Sequence, residues 1–236
     1  MPIEFIEAIQ KPHIYLDYET NQAGNCYLVG YQIDGKFTQI VTDRRLEGLA
    51  EFHNLEIKTP AEATYDLLSY AKDSNSIIVA YSEAEREYFK LFSTNFDSEK
   101  FIDTPYLNLL NAARKWIHRY KAEEFDVLPP FRLGADEYMA RTLRRSLCSV
   151  MRLTSFRAPN DYAPGKTTAR FNTVADALVM RSQKYSELTR VQKTKGTKVL
   201  KHNRFDVEAL PVLFNEILSD SEQCFSTSIK NCFDNN

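Results

Sequence analysis

The chain has little of several residue types that define specialised classes of protein. Its 236 residues include only seven glycines, nine prolines, four cysteines and one tryptophan. The low glycine and proline content excludes collagen-like and low-complexity chains, and a hydrophobic content of 43% excludes intrinsic disorder. The cysteines have neither the CxxC spacing of zinc sites nor the density of a disulfide-rich secreted module. We therefore expect a globular protein of a reducing compartment.

Long hydrophobic runs are also missing. No apolar stretch approaches the roughly 20 residues that a membrane-spanning helix needs. Residues 1–10 carry acids at Glu4 and Glu7 instead of the cationic flank of a signal peptide. We expect a cytoplasmic protein with one domain over residues 1–220, followed by a polar tail at 221–236 that has no structure.

Net charge is nearly absent, at −2, but the charges are unevenly distributed. Residues 141–204 contain fifteen Lys or Arg against three acids, a balance of +12, which leaves −14 for the rest of the chain. Such a segment is typical of a surface that attracts a polyanion. An ordinary solvated helical face explains it equally well, and charge alone does not choose between the two.

Alternating and β-branched residues predict three strands near the amino terminus, at residues 13–19, 26–33 and 36–42. The second and third strands are separated by Asp34-Gly35, a dipeptide that favours a tight hairpin turn. The first 42 residues therefore predict an antiparallel meander.

The pattern then changes to alternating helices and strands. A helix beginning at Pro60, a strand at 77–81, a helix at 83–92, a strand at 101–103 and a helix at 105–120 complete the order βββαβαβα. This order predicts an α/β fold with a mixed five-stranded sheet. A basic, mainly helical insertion follows at about 122–200, with a turn around Gly196, before a carboxy-terminal helix at 203–218.

Two pairs of polar residues lie where chemistry could occur. Asp17 and Glu19 are two apart on a strand, so their side chains leave the same face. Two carboxylates at that spacing resist joint ionisation unless a cation compensates them, and a divalent metal is the simplest candidate. If that face lies at an exposed rim, the acids are merely solvated. His202 and Asp206, four apart, share one face of the last helix, where a boundary residue is the simpler reading of the acid.

Three segments together resemble a known family. LDYET, IVAYSEAEREYF and HNRFDVEAL, in this order, resemble the motifs of the DEDD exonuclease superfamily, in particular its branch of predicted ribonuclease-H-like nucleases. The resemblance spans residues 13–216 and implies the ribonuclease-H-like fold. By this resemblance Asp17 and Glu19 match the first motif, and Asp206 matches the last acid.

The second and third motifs depart from the family pattern. The family usually has Asp in the second motif, where this sequence offers Glu85, with Glu87 as the competing register and Asp103 as a further candidate. In the third motif His202 takes the place, four residues before the acid, that usually holds Tyr in this branch.

The resemblance implies a nuclease that hydrolyses phosphodiester bonds of DNA or RNA with two Mg²⁺ or Mn²⁺ ions, in the form of a 3′→5′ exonuclease. Asp17 would bridge both ions and Glu19 would share one, while Glu85 and Asp206 would complete the shells. His202 would orient or deprotonate the attacking water. The alternative is a catalytically weakened module that binds nucleic acid or a partner without cleavage.

The basic segment gains a role in this scheme, because it would lie beside the catalytic face and follow a phosphate backbone. Its aromatic residues would stack on bases of a single strand. The basic candidates are Arg144, Arg145, Arg152, Lys166 and Arg170, and the aromatic candidates are Phe156, Tyr162 and Phe171.

Overall fold

A mixed six-stranded sheet forms the centre of the structure. The computed structural model describes residues 8–21, 23–92, 104–129, 144–159, 162–163 and 165–234, with side chains up to Ser221. The strand order is β4-β3-β2-β1-β5-β6. The chain is therefore an α/β protein, as predicted.

The predicted meander is confirmed. It consists of β1 (His13–Thr20), β2 (Cys26–Ile33) and β3 (Lys36–Val41), each antiparallel to the next. Asp34 and Gly35 make the turn between β2 and β3 with φ angles of 49° and 78°. A dipeptide that tolerates positive φ at both positions is what a tight hairpin requires.

The sheet has one strand more than the five predicted. After β3 the chain forms α1 (Glu47–His53), β4 (Glu56–Ile57), α2 (Pro60–Asp73), β5 (Ile77–Ala80) and α3 (Ala84–Phe92). The extra strand is β4, which pairs in parallel with the end of β3. Two residues are too few to show a period of two, so the sequence pattern had no signal for this strand.

The last strand, β6 (Tyr106–Asn108), pairs in parallel with β5. Sequence reasoning placed a strand at 101–103, outside the described residues, and started a helix at Pro105. That start was wrong, because Pro105 precedes an edge strand, where a missing N–H is tolerated. The helix α4 (Leu109–Trp116) begins directly after Asn108. The side chain of Asn108 caps this helix by accepting a hydrogen bond from the Asn111 N–H.

Helices follow through the rest of the described chain. They are a π-helical turn at Ile117–Lys121, α5 (Ala122–Asp126), α6 (Leu147–Met151), α7 (Thr167–Met180) and α8 (Arg190–Asp234). The long α8 corrects two predictions: the turn around Gly196 lies inside it, and so does most of the tail predicted to lack structure. A Cβ at Gly196 would lie 3.0 Å from Leu49 Cδ1, so this glycine lets α8 pack closely against α1.

Helices cover both faces of the sheet, and strand alternation decides which residues face which helices. Ile14, Leu16 and Tyr18 of β1 pack with α2 and α3. Tyr15 points the other way and belongs to the cluster that α8 closes. Among the described residues no helix combines the length and apolar character needed to span a bilayer.

Candidate metal centre

The polar residues of β1 point towards α8. Since side chains alternate along a strand, Asp17 and Glu19 share the face of Tyr15, which packs against that helix. The facing turn of α8 carries His202 and Asp206. Residues far apart in the sequence are thereby brought to one place on the structure.

Gly30, in the middle of the sheet, allows α8 to pack closely against β2 at this position. Asp17, Gly30 and Gln39 lie side by side across β1, β2 and β3. A Cβ at Gly30 would lie 2.2 Å from Oδ1 of Asn203, so the absent side chain leaves the space that this α8 residue fills. Asn203 Nδ2 donates to Asp17 Oδ2 at 2.8 Å, and Asn203 Oδ1 accepts from Gln39 Nε2 at 2.9 Å.

Sequence reasoning missed Asn203 as a site residue. Its side chain is fully buried and holds the carboxylate of Asp17 in a fixed orientation. Two signals were available: a glycine inside a strand indicates close approach of another group, and a neutral amide stands next to the histidine already singled out.

Glu19, His202 and Asp206 form a compact group. The Nε2 atom of His202 is 3.3 Å from Asp206 Oδ2 and 3.9 Å from Glu19 Oε1, and one ligand atom of each residue lies within 4.8 Å of the others. Glu19 Oε2 accepts from the Tyr27 hydroxyl at 3.2 Å, while Glu19 Oε1 is buried and has no hydrogen-bond partner among the residues that the structure describes. This group can hold a metal ion. Asp17 is not part of it.

The tyrosine Tyr162 covers the same group from the insertion. Its ring stacks on that of His202 with centroids 4.1 Å apart, and its hydroxyl donates to Asp206 Oδ1 at 2.7 Å. Burial and the nearby charge of Arg170 lower the pKa of His202 to about 4. The imidazole is therefore neutral at neutral pH, the state in which it can bind a metal or accept a proton.

The structure distinguishes the candidates for the second-motif acid. Glu85 is buried in the first turn of α3, and its Oε2 accepts hydrogen bonds from the N–H and the hydroxyl of Ser82. Its charge contributes to the raised pKa of Asp17. Glu87 is exposed and pairs with a lysine of its own helix at 2.8 Å. Asp103 lies outside the described residues.

All four acids, Asp17, Glu19, Glu85 and Asp206, have raised pKa values, chiefly because they are buried. Burial and the charge of Glu85 raise the pKa of Asp17 to about 7. Burial raises the pKa of Glu85 as well, and burial with neighbouring carboxylates holds the pKa values of Glu19 and Asp206 well above their usual range. Among the described residues no Lys or Arg forms an ion pair with any of the four. Glu19 Oε1 has no hydrogen-bond partner among the described residues and is available as a ligand. Together with the carboxylate of Asp206 and the imidazole of His202, it forms a set of oxygen and nitrogen donors that fits a divalent cation.

Two of the three aromatic residues expected to stack on bases serve the interior instead. Phe171 is fully buried and stacks on Tyr27 at 4.0 Å. Phe156 stacks on Phe205 at 5.4 Å. Phe171 therefore offers no face to a base, while Phe156 is partly buried and packs against the apolar core.

No family model, curated protein or solved structure matches this chain. The geometry of the carboxylates is therefore the main support for a function.

Proposed function

We propose that the protein is a metal-dependent nuclease with a ribonuclease-H-like fold, which hydrolyses phosphodiester bonds of DNA or RNA as a 3′→5′ exonuclease. The observation that carries the proposal is the compact group of Glu19, His202 and Asp206 with the buried carboxylates of Asp17 and Glu85 beside it, without a Lys or Arg ion pair among the described residues. Buried carboxylates in this number require a cation to be ionised together.

The arrangement of the sheet supports the proposed fold. Without the two-residue β4, the strand order is β3-β2-β1-β5-β6, with an antiparallel meander on one side of β1 and parallel strands on the other. This is a mixed five-stranded sheet, and the chain order matches the predicted βββαβαβα except that α1 lies as an additional helix between β3 and α2. The candidate site lies on β1, the strand at which the two halves meet.

The side chains of the site have separate tasks in this proposal. Glu19, His202 and Asp206 would hold a divalent cation, and Asp17, oriented by Asn203, and Glu85 would be the candidate ligands of a second one. Bound Mg²⁺ or Mn²⁺ supplies a water of lowered pKa and neutralises charge on the phosphate.

The histidine and the tyrosine act on protons and orientation. Because its pKa lies near 4, His202 is neutral at neutral pH and is able to accept a proton from water. The Tyr162 hydroxyl fixes the carboxylate of Asp206 through Oδ1 and leaves Oδ2 on the side of His202.

The proposal is tested with end-labelled single strands of DNA and RNA in Mn²⁺ or Mg²⁺. We expect the unmodified protein to shorten a 5′-labelled strand stepwise, and Asp206→Asn and Glu19→Gln to lose at least about 100-fold in rate, since even residues that only orient metal ligands contribute 10–100-fold. Glu208→Gln is the matched control, because Glu208 pairs with Arg204 on the exposed side of the same helix. Equal rates in the control and the two site variants contradict the proposal.

A binding module without cleavage is the second candidate. The observation that favours it is the double hydrogen bond from Ser82 to Glu85 Oε2, which uses this carboxylate to hold the first turn of α3. Such a module binds a strand in chelator, loses affinity steeply with salt and cleaves in no divalent ion. The cleavage assay separates the two candidates.

A further inference from the structure

A groove with a volume of about 640 Å³ runs between α7 and the first turns of α8. The groove is separate from the candidate metal centre, and none of the residues assigned to that centre lines the groove. Its cationic lining residues are Lys166, Arg170, Arg190, Lys195 and Lys198.

The lining combines cations with aliphatic and hydroxyl side chains. Five of its nine described residues are Lys or Arg and none is acidic, in a chain whose net charge is −2. Lys195 Nζ donates to Thr173 Oγ1 at 3.1 Å, so a contact between the two helices crosses the groove. Val191 is 65% exposed. A chain of phosphates linked by less polar units matches these features better than a compact anion does.

The groove begins next to the candidate metal centre. The hydroxyl of Thr168, at the start of α7, donates to the carbonyl of Thr20 at 3.4 Å, which places this end of α7 beside the end of β1 that carries Glu19. Arg170 lines the groove and its charge acts on His202. On α8, Lys198 lies about one turn before His202.

We propose that this groove binds the sugar-phosphate backbone of a single nucleic-acid strand and directs the end of that strand to the carboxylates. The inference rests on the proposed function, because it takes the polyanion to be the substrate. The contact between Lys195 and Thr173 crosses the groove and limits its width, which favours a single strand over a duplex as the occupant. The cations neutralise phosphates without reading bases, so binding is insensitive to sequence.

Salt-dependent binding in chelator tests the groove without requiring cleavage. The probe is a fluorescently labelled mixed-sequence single strand, measured by anisotropy over a range of salt concentrations. The double variant Lys166→Ala/Arg190→Ala removes one cation from each wall of the groove. Because each lost phosphate contact on a single strand lowers the salt slope by about 0.7, we expect the slope to fall by about 1.4 and affinity at low salt to fall at least tenfold.

The matched control removes two lysines at the other end of the sheet. Lys36 begins β3 after the hairpin turn, and Lys72 lies in the last turn of α2, just before β5. Both are exposed, and both lie near the start of β1, away from Thr20. We expect Lys36→Ala/Lys72→Ala to keep the slope of the unmodified protein.

Photo-crosslinking locates the strand. A photoreactive side chain replaces Val191 in the groove, or Val179, which is 52% exposed on α7 but does not line the groove. We expect crosslinks from position 191 only. The groove proposal is overturned if the strand binds with equal salt slopes in all variants, or if crosslinks form from position 179 alone. The cleavage assay tests the proposed function independently of these results. Absence of strand binding at low salt also overturns the groove proposal. It is likewise overturned if polyglutamate binds as tightly as the single strand and loses the same affinity in the groove variants.

Discussion

The raised pKa of Asp17 predicts how the stability of the metal-free protein depends on pH. The folded state holds this pKa at about 7, against an ordinary value of 3.8 for aspartate. Between these two values the folded state retains a proton that the unfolded state has lost, so stability falls as pH rises through this window and levels off above about pH 7. One pKa unit corresponds to about 1.4 kcal/mol, so ionising Asp17 in the folded protein costs about 4 kcal/mol.

Replacing Asp17 by Asn removes this cost without removing the hydrogen bond. The new amide oxygen still accepts from Asn203 Nδ2, and the charge that Glu85 opposes is gone. We expect Asp17→Asn to be as stable as the unmodified protein at pH 4 and more stable by up to about 4 kcal/mol at pH 8, in chelator. Urea unfolding at several pH values measures the difference.

Divalent metal is expected to reverse the ranking. Metal ligands must be deprotonated, so saturating Mn²⁺ stabilises the unmodified protein more strongly as pH rises, while Asp17→Asn responds less. The control is Asp73→Asn, at the exposed end of α2. We expect this variant to have the same dependence of stability on pH as the unmodified protein, both in chelator and in Mn²⁺. The reasoning is refuted if Asp17→Asn keeps the pH slope of the unmodified protein in chelator.

Three further substitutions test the neighbouring contacts. Gly30→Ala brings a Cβ against Asn203 Oδ1, and we expect a loss of about 1–3 kcal/mol by urea unfolding together with weaker Mn²⁺ binding by titration. Tyr162→Phe removes the donor to Asp206 and is expected to cost about 1.5–3 kcal/mol at pH 8 in chelator; an unchanged urea midpoint contradicts that contact. Thr59→Ala breaks the capping box of α2 and is expected to cost about 1 kcal/mol, measured by thermal unfolding, with metal binding unaffected.

Local signals in the sequence were enough for the meander and for the orientation of its acids. The hairpin at Asp34 and Gly35 depends on two adjacent residues, and the shared face of Asp17 and Glu19 depends on strand alternation. Neither feature needs knowledge of the rest of the chain. Both predictions were therefore within reach of the residues alone.

Features that depend on distant partners were missed or misread. Gly196 predicted a turn from its type, but its small size serves the packing of α8 against Leu49, about 150 residues earlier in the chain. Asn203 can reach and orient Asp17 because Gly30 has no side chain in the way. This dependence shows only when α8 and the sheet are seen packed together. Sequence pattern describes each element separately and does not contain these contacts.

The neutral partners of the carboxylates bear on what the cluster can bind. Asp17 accepts from the amide of Asn203, and Glu19 accepts from the hydroxyl of Tyr27. These donors fix the orientation of each carboxylate but do not compensate its charge, and no Lys or Arg among the described residues does so either, at a cost in stability that the raised pKa values express. A Lys or Arg beside these carboxylates would lower their pKa values by its charge. Among the described residues the carboxylates are oriented without being neutralised, which supports the proposed divalent cation as the source of the compensating charge.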